Sequence, residues 1–272
     1  MKARAPTKII RGVTLRSDPA RESCFTVVQT DAEMQSWPGM SPTARKERLH
    51  RHMNNEMGSL EIAAQMLVDF PEAPWELRMQ LARQCWDETR HVRALRSRLE
   101  ALGGRKGEFP VANFEWSVTC MLDSLPARLA VQNRTFEAGQ MDIVGKQIRD
   151  WREAGDEETA QVIEGILTDE IQHVRFANEW LRRLAKEDRR VLLDVARGVR
   201  FLAGVTEALT PAPGEVDALG LPIGDPRERI PAINVSDRRQ AGFTDAEIQE
   251  VLRQAGFRSI DPGPDARDEA AT

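Results

Sequence analysis

The unit Asp-Glu-x-x-His occurs twice, as Asp87-Glu88-Thr89-Arg90-His91 and as Asp169-Glu170-Ile171-Gln172-His173. An isolated glutamate precedes each copy, Glu56 by 32 residues from Glu88 and Glu137 by 33 residues from Glu170. On a helix, positions i and i+3 share a face, so Glu88 points with His91 and Glu170 with His173. Glu56 and Glu137 fall on apolar stripes, the first with Met53, Leu60, Ala63 and Leu67, the second with Met141, Val144, Ile148 and Trp151. A carboxylate facing a core is costly unless a cation or hydrogen bonds offset it. Four such carboxylates meet their charge balance with two divalent cations, and two neutral imidazoles complete the shells. Glu56, Glu88, His91, Glu137, Glu170 and His173 are therefore the candidate catalytic residues and ligands of a two-metal site. Shells rich in carboxylate and poor in histidine suit iron, with manganese as the alternative, better than zinc.

Around that set, Asp87 and Asp169 are expected to accept the outer ring N–H of a ligand histidine across the helix pair. His52, one turn before Glu56, is either a third imidazole ligand or a histidine outside the shell. His50 is expected to be exposed. Glu61 and Asp142, each five residues past a ligand glutamate and about 140° round the helix, read as ordinary polar-face residues. Cys85 and Trp86 read as packing residues. Arg134 pairs either with a ligand carboxylate or substrate anion or in a surface ion pair.

The elements that must hold these side chains are helices. Ser41 with Pro42 marks a helix start, and the stripe through Glu56 runs on to Pro71. A second helix spans from about Pro74 to Gly103-Gly104, a short one lies near Phe114 to Leu122, and a third starts at Ser124 and Pro126 and ends near Glu153. A fourth carries Glu170 and His173 and ends near Glu187, and a fifth runs from about Arg189 to Leu209. The fold class expected is all-α: a four-helix bundle with additional C-terminal helices and extended N- and C-terminal arms. Residues 1–40 form the N-terminal arm, with Cys24 to Val28 as a strand or extended piece. Residues 41–209 form the bundle. Residues 210–260, with five prolines between Pro211 and Pro231, form an arm over it ending in a short helix from Thr244 to Gln254. Residues 261–272 read as a disordered tail.

A chain of 272 residues with 41% hydrophobic and 30% charged residues is ordinary for a soluble globular protein. A net charge of −5 without a basic tract disfavours nucleic acid as partner. No apolar run of membrane-spanning length is present, and the first eleven residues lack a signal-peptide core. Three widely spaced cysteines, Cys24, Cys85 and Cys120, suit reduced thiols in a cytoplasm.

The doubled Glu…Asp-Glu-x-x-His pattern resembles the signature of ferritin-like di-iron oxidases and oxygenases. The Asp-Glu-x-Arg-His form of the first motif is similar to that of bacterial multicomponent monooxygenases, and the doubled form to that of arylamine N-oxygenases. The resemblance covers roughly residues 45–185 and implies a ferritin-like four-helix bundle holding two iron ions. It also implies O2 as oxidant and an external electron donor, a ferredoxin or reductase. In those families an outer aspartate and an arginine tie the motif helices together. Asp87, Asp169 and Arg90 match, whereas Gln172 stands in place of the second arginine. Some N-oxygenases use a third imidazole, the part His52 would play. The stretch Arg238-Arg239-Gln240-Ala241-Gly242-Phe243 is similar to an uncharacterised ferritin-like branch known only as a domain of unknown function.

The function this implies is O2-dependent oxidation of a small-molecule substrate by a stand-alone chain, monomer or homodimer. N-oxygenation of an amine, hydroxylamine or hydrazine in a biosynthetic pathway leads. C-hydroxylation or desaturation, including a tRNA hydroxylase-like activity, is the alternative, as is a peroxide-scavenging or metal-binding protein. The absence of any tyrosine disfavours an oxidant stored as a tyrosyl radical. The absence of Cys-x-x-Cys counts against a rubrerythrin.

Overall fold

The computed structural model describes residues 5–35, 37, 39–212, 214–215 and 233–256. The chain is mostly helical. Helix α1 (Pro42–Asp69) starts where Ser41 Oγ accepts the Ala44 N–H at 3.3 Å and proline fills the first turn. Five residues later α2 (Trp75–Ala101) runs back along it. Arg78 donates to the Leu67 and Phe70 carbonyls at 2.9 and 3.1 Å, satisfying the acceptors that the end of α1 leaves open.

After α3 (Phe114–Thr119), α4 (Leu125–Val131) is capped by Ser124 and passes into a π-helical turn, Gln132–Glu137, continued by α5 (Ala138–Glu153). The sequence gives a single unbroken helix here, and the structure differs by this turn. Asp156 caps α6 (Glu157–Glu187), its Oδ1 accepting from Thr159 N at 3.0 Å. α6 packs along α5 and against α2, and α7 (Arg190–Leu209) lies on α4 and α6.

Two of the apolar core clusters follow one another along the helix axes. One gathers Ile62, Met66, Leu77, Leu81, Leu129 and Trp180, and the second Leu49, Met53, Leu95, Leu99, Val144 and Ile163. Glu56, Glu88, Glu137 and Glu170 come between these sets along their own helices, so the polar centre sits between two dry layers.

The N-terminal arm is more structured than an extended piece. Strands β1 (Thr7–Ile10) and β2 (Val13–Arg16) form a hairpin turned by Arg11 and Gly12 at φ 45° and 81°, the left-handed pair that suits a two-residue connection. β3 (Val27–Val28) pairs in parallel with β4 (Val111–Ala112). On the C-terminal side, α8 (Val235–Gln240), which the sequence reading lacks, precedes α9 (Asp245–Gln254), whose start is a Thr244/Glu247 capping box. Most of the expected proline-rich arm and the whole of the 261–272 tail lie outside the described residues. No helix among the described residues is long and apolar enough to cross a membrane.

Candidate metal centre

Four elements supply the six side chains: α1 gives Glu56, α2 gives Glu88 and His91, the π turn gives Glu137, and α6 gives Glu170 and His173. None is more than 2% exposed. They fall into two overlapping groups, Glu56, Glu88, His91 and Glu170 in one and Glu88, Glu137, Glu170 and His173 in the other. In each, one ligand atom per residue lies within 4.8 Å of the others. Glu88 and Glu170 belong to both groups, one oxygen to each side.

Both imidazoles turn Nδ1 inward. His91 Nδ1 is 2.9 Å from Glu56, 3.0 Å from Glu88 and 3.7 Å from Glu170. His173 Nδ1 is 3.5 Å from Glu88 and 3.6 Å from Glu170. The outward nitrogens meet the aspartate of the opposite motif: His91 Nε2 lies 3.2 Å from Asp169, and His173 Nε2 lies 3.5 Å from Asp87. Arg90 closes the arrangement alone, reaching Asp87 at 2.5 Å and Asp169 at 2.9 Å, so the place held by Gln172 is not needed to tie α2 to α6. Arg83 adds a second donor to Asp87 at 2.9 Å. His52 belongs to neither group; its Nε2 contacts the outer oxygen of Glu56 at 2.9 Å.

Two site residues were missed from the sequence. Gln84 donates through Nε2 to Glu137 at 2.6 Å and to Glu88 at 3.3 Å. Asn133 Nδ2 donates to the other Glu137 oxygen at 2.9 Å and to Gln84 Oε1 at 3.1 Å. Each amide sits one turn before a ligand glutamate, the i, i+4 spacing that could have revealed it.

The electrostatics are those of a crowded anionic centre. Burial, then Glu170 and Glu56, hold the Glu88 carboxyl well above its ordinary range. Burial and Glu170 push Glu137 up to about 8. Glu56 is the exception: burial would raise it, but hydrogen bonds from His52 and His91 hold it low. Burial opposes charge on His173, yet Glu170 and Asp87 overrule it and push the imidazole up to about 10. Burial likewise opposes charge on His91, and Glu56 raises it. Asp87 is held low against its burial by His173, Arg83 and Arg90.

A cation fits this set. Glu170 Oε2 and His173 Nδ1 are buried, have no hydrogen-bond partner among the described residues, and face each other at 3.6 Å. Unsatisfied buried acceptors are costly, and a divalent ion between them would satisfy both. These buried Glu/His clusters could hold metal.

Several neighbours differ from the sequence reading. His50 is buried, not exposed: it packs between Phe25 and Phe109, and its Nε2 accepts the Gly107 N–H at 2.9 Å. Burial pushes its pKa down to about 4. Asp142 is no ordinary polar-face residue but is buried against Arg238 at 2.5 Å and accepts the Asn234 N–H at 2.8 Å. Glu61 is ion-paired with Arg21. Arg134 turns away from the ligands, pairing with Glu247 at 2.5 Å and stacking over Phe243. Cys85 is half-buried, as a packing residue would be, whereas Trp86 is 55% exposed.

No curated protein matches the chain. A protein-family model described as "Protein of unknown function (DUF455)" matches residues 2–249, nearly the whole sequence. The chain that builds this buried carboxylate and imidazole centre thus belongs to the DUF455 family.

Proposed function

We propose that this protein is an O2-dependent, non-haem di-iron oxygenase or oxidase on a ferritin-like four-helix bundle, acting on a small organic substrate. N-oxygenation of an amine, hydroxylamine or hydrazine is the leading reaction, and C-hydroxylation or desaturation on the same centre is the alternative. The observation that carries the reading is the pair of overlapping ligand groups sharing Glu88 and Glu170. Glu56 and His91 would complete the shell of one ion, and Glu137 and His173 that of the other, with Glu88 and Glu170 common to both. Two bound iron ions supply redox chemistry toward O2, with electrons from an external ferredoxin or reductase.

The protein's own residues prepare that centre. Nε2–H donation from His91 to Asp169 would fix that imidazole's tautomer with Nδ1 inward, and His173, whose Nε2 stands 3.5 Å from Asp87, turns its Nδ1 the same way. Arg90 holds those aspartates together at the surface side. His52 orients the outer oxygen of Glu56, and the Gln84 and Asn133 amides orient Glu137. The apolar layers on either side exclude water, which strengthens every electrostatic contact between them. Homodimerisation and a cytoplasmic setting accompany this reading.

A second reading, a peroxide-scavenging metalloprotein, is favoured by one observation. The cleft that reaches His52, lined also by Arg48, Trp151 and Ile163, has room for about 20 Å³, the scale of a single water. Anaerobic Fe(II) loading followed by metal analysis and O2 uptake decides. The expected result is two irons per chain and O2 consumption with a transient visible absorbance. Rapid O2 evolution from peroxide by the manganese-loaded protein supports the second reading instead. Failure to bind iron or manganese overturns both.

A further inference from the structure

Helix α2 has an apolar row on each side. Its inner face buries Leu77 and Leu81 together with Glu88 and His91. Its outer face meets solvent with Trp75 at 68% exposure, Met79 at 43% and Trp86 at 55%, and with the exposed Ala82 between them. At 100° per residue these four side chains fall within an arc of about 60°, in a row about 16 Å long. Their alternating spacing of four and three residues is that of a coiled-coil seam. Scattered exposed apolar residues are ordinary, whereas a contiguous row marks an interaction surface. Trp116, Trp151 and Trp180 are at most 7% exposed, so the solvated pair on α2 departs from how this chain places tryptophan elsewhere.

The row complements itself. In an antiparallel pair of α2 helices crossing between Gln80 and Leu81, Trp75 of one copy faces Trp86 of the other. Met79 then faces Ala82, a long side chain over a short one. Glu76 and Arg83 flank the row, each one residue past a seam position, and in the same pairing Glu76 falls beside Arg83 of the second copy. The two-fold axis makes that contact twice. Both residues are exposed. Glu76 makes no ion pair among the described residues, and Arg83 reaches Asp87 through Nε with its side chain 67% exposed. A parallel pair would bring Arg83 toward Arg78 of the second copy, like charge on like, which costs affinity. Arg90 and Arg93 lie past the start of the second copy's α2, where the exposed Glu72 leads into that helix.

The area is that of a reversible dimer. A fully buried aromatic side chain withdraws about 150–250 Å² from water. At their exposures Trp75, Met79 and Trp86 offer on the order of 400 Å² per copy, about 800 Å² for the pair. Ala82, Glu76 and Arg83 bring the total to roughly the 1,000 Å² of the smallest specific interfaces, whose members associate weakly.

We propose that two copies of this chain pair antiparallel through the outer face of α2, with Trp75 on Trp86, Met79 on Ala82 and Glu76 on Arg83. The pairing gives the homodimer a face and does not depend on the metal reading. It does adjoin the centre, because Arg83 braces Asp87, the residue beside His173 Nε2.

Sedimentation velocity of the full chain across the micromolar range tests it, with circular dichroism to check helical content. A reversible monomer–dimer equilibrium is expected. Trp75→Ser and Glu76→Arg should each weaken it at least tenfold. Adding Arg83→Glu to Glu76→Arg should recover most of that loss, because the two charges are then exchanged rather than opposed. Leu193→Ser on α7, where the native side chain is 58% exposed, should change nothing. Trp75→Ser and Glu76→Arg, both at exposed positions, decide the matter if the double variant does not fold. A chain that stays monomeric at every concentration leaves this face to some other protein and overturns the proposal. So does a dimer that survives both single variants, a folded double variant that recovers nothing, or a dimer that Leu193→Ser dissolves.

Discussion

Glu56 and Glu137 hold equivalent places in the doubled unit, yet Glu56 stands in an unbroken α-helix and Glu137 in a π turn. Their partners differ as well. Two imidazoles, His52 and His91, face Glu56 and keep it ionised. Two neutral amides, Gln84 and Asn133, hold Glu137, whose carboxyl stays protonated up to about pH 8. A repeated sequence has thus become two electrostatically unlike halves. One presents a ready anion, and the other a neutral acid that must release its proton before it can hold a cation. π turns of one extra residue recur at functional sites because they re-aim a single side chain without breaking the helix.

The largest effect is expected where the halves overlap. Under the di-iron reading, Glu88→Ala removes a ligand from both groups, and metal analysis should fall from about two ions per chain to near zero. Glu137→Ala should keep one ion, because the Glu56 and His91 side remains whole. If Glu88→Ala keeps one ion, the shared-ligand geometry is wrong. A somewhat smaller effect should follow deletion of Thr135, whose hydroxyl bonds Ala130 O five residues back at 2.8 Å. The deletion takes the extra residue out, so the widened turn closes to α and Glu137 loses the position that the π turn gives it. Metal content should then match that of Glu137→Ala, with helical content retained. Two ions in this variant would show that the π turn is not what aims Glu137.

The halves were legible in sequence to different depths. The six side chains could be read because their signal is local: Glu-x-x-His on one helix face, and a glutamate interrupting an apolar stripe. The helix starts at Ser41 and Ser124 were readable for the same reason, each a capping side chain before a proline. No residue type encodes the π turn, and Gln132 to Phe136 reads as ordinary helix. Gln84 and Asn133 were hidden because amides one turn from a carboxylate are common on polar faces. His50 and Asp142 were misread because their partners, Gly107 and Arg238, are 57 and 96 residues distant. Long-range pairings of that kind leave no periodic trace.

The subtlest difference between the halves is protonic and shows in the metal-free protein. Glu137 has a folded pKa raised from 4.5 to about 8, so the folded state keeps a proton that the unfolded state releases, and stability falls as pH rises across that interval. His173 acts in the same direction. Its pKa is raised from 6.5 to about 10, so its contribution is complete below pH 6.5 and is lost as pH climbs toward 10. Glu56 and Asp87, held low, lose their contributions only as pH falls through the acid range. His50, lowered from 6.5 to about 4, costs stability only as pH falls below 6.5. Between pH 7 and 8 the raised groups therefore dominate. At about 1.4 kcal/mol per pH unit for each proton released, Glu137, His173 and the raised Glu88 together should cost the chelator-treated protein roughly 2–4 kcal/mol across that unit in urea titrations. Glu137→Gln should make the slope shallower by the share of its one proton, leaving the parts of His173 and Glu88, whereas Glu56→Gln should leave it in place, because Glu56 is ionised throughout. Equal slopes in Glu137→Gln and the parent would mean that Glu137 does not carry the proton, and the contrast between the halves would then rest on backbone geometry alone.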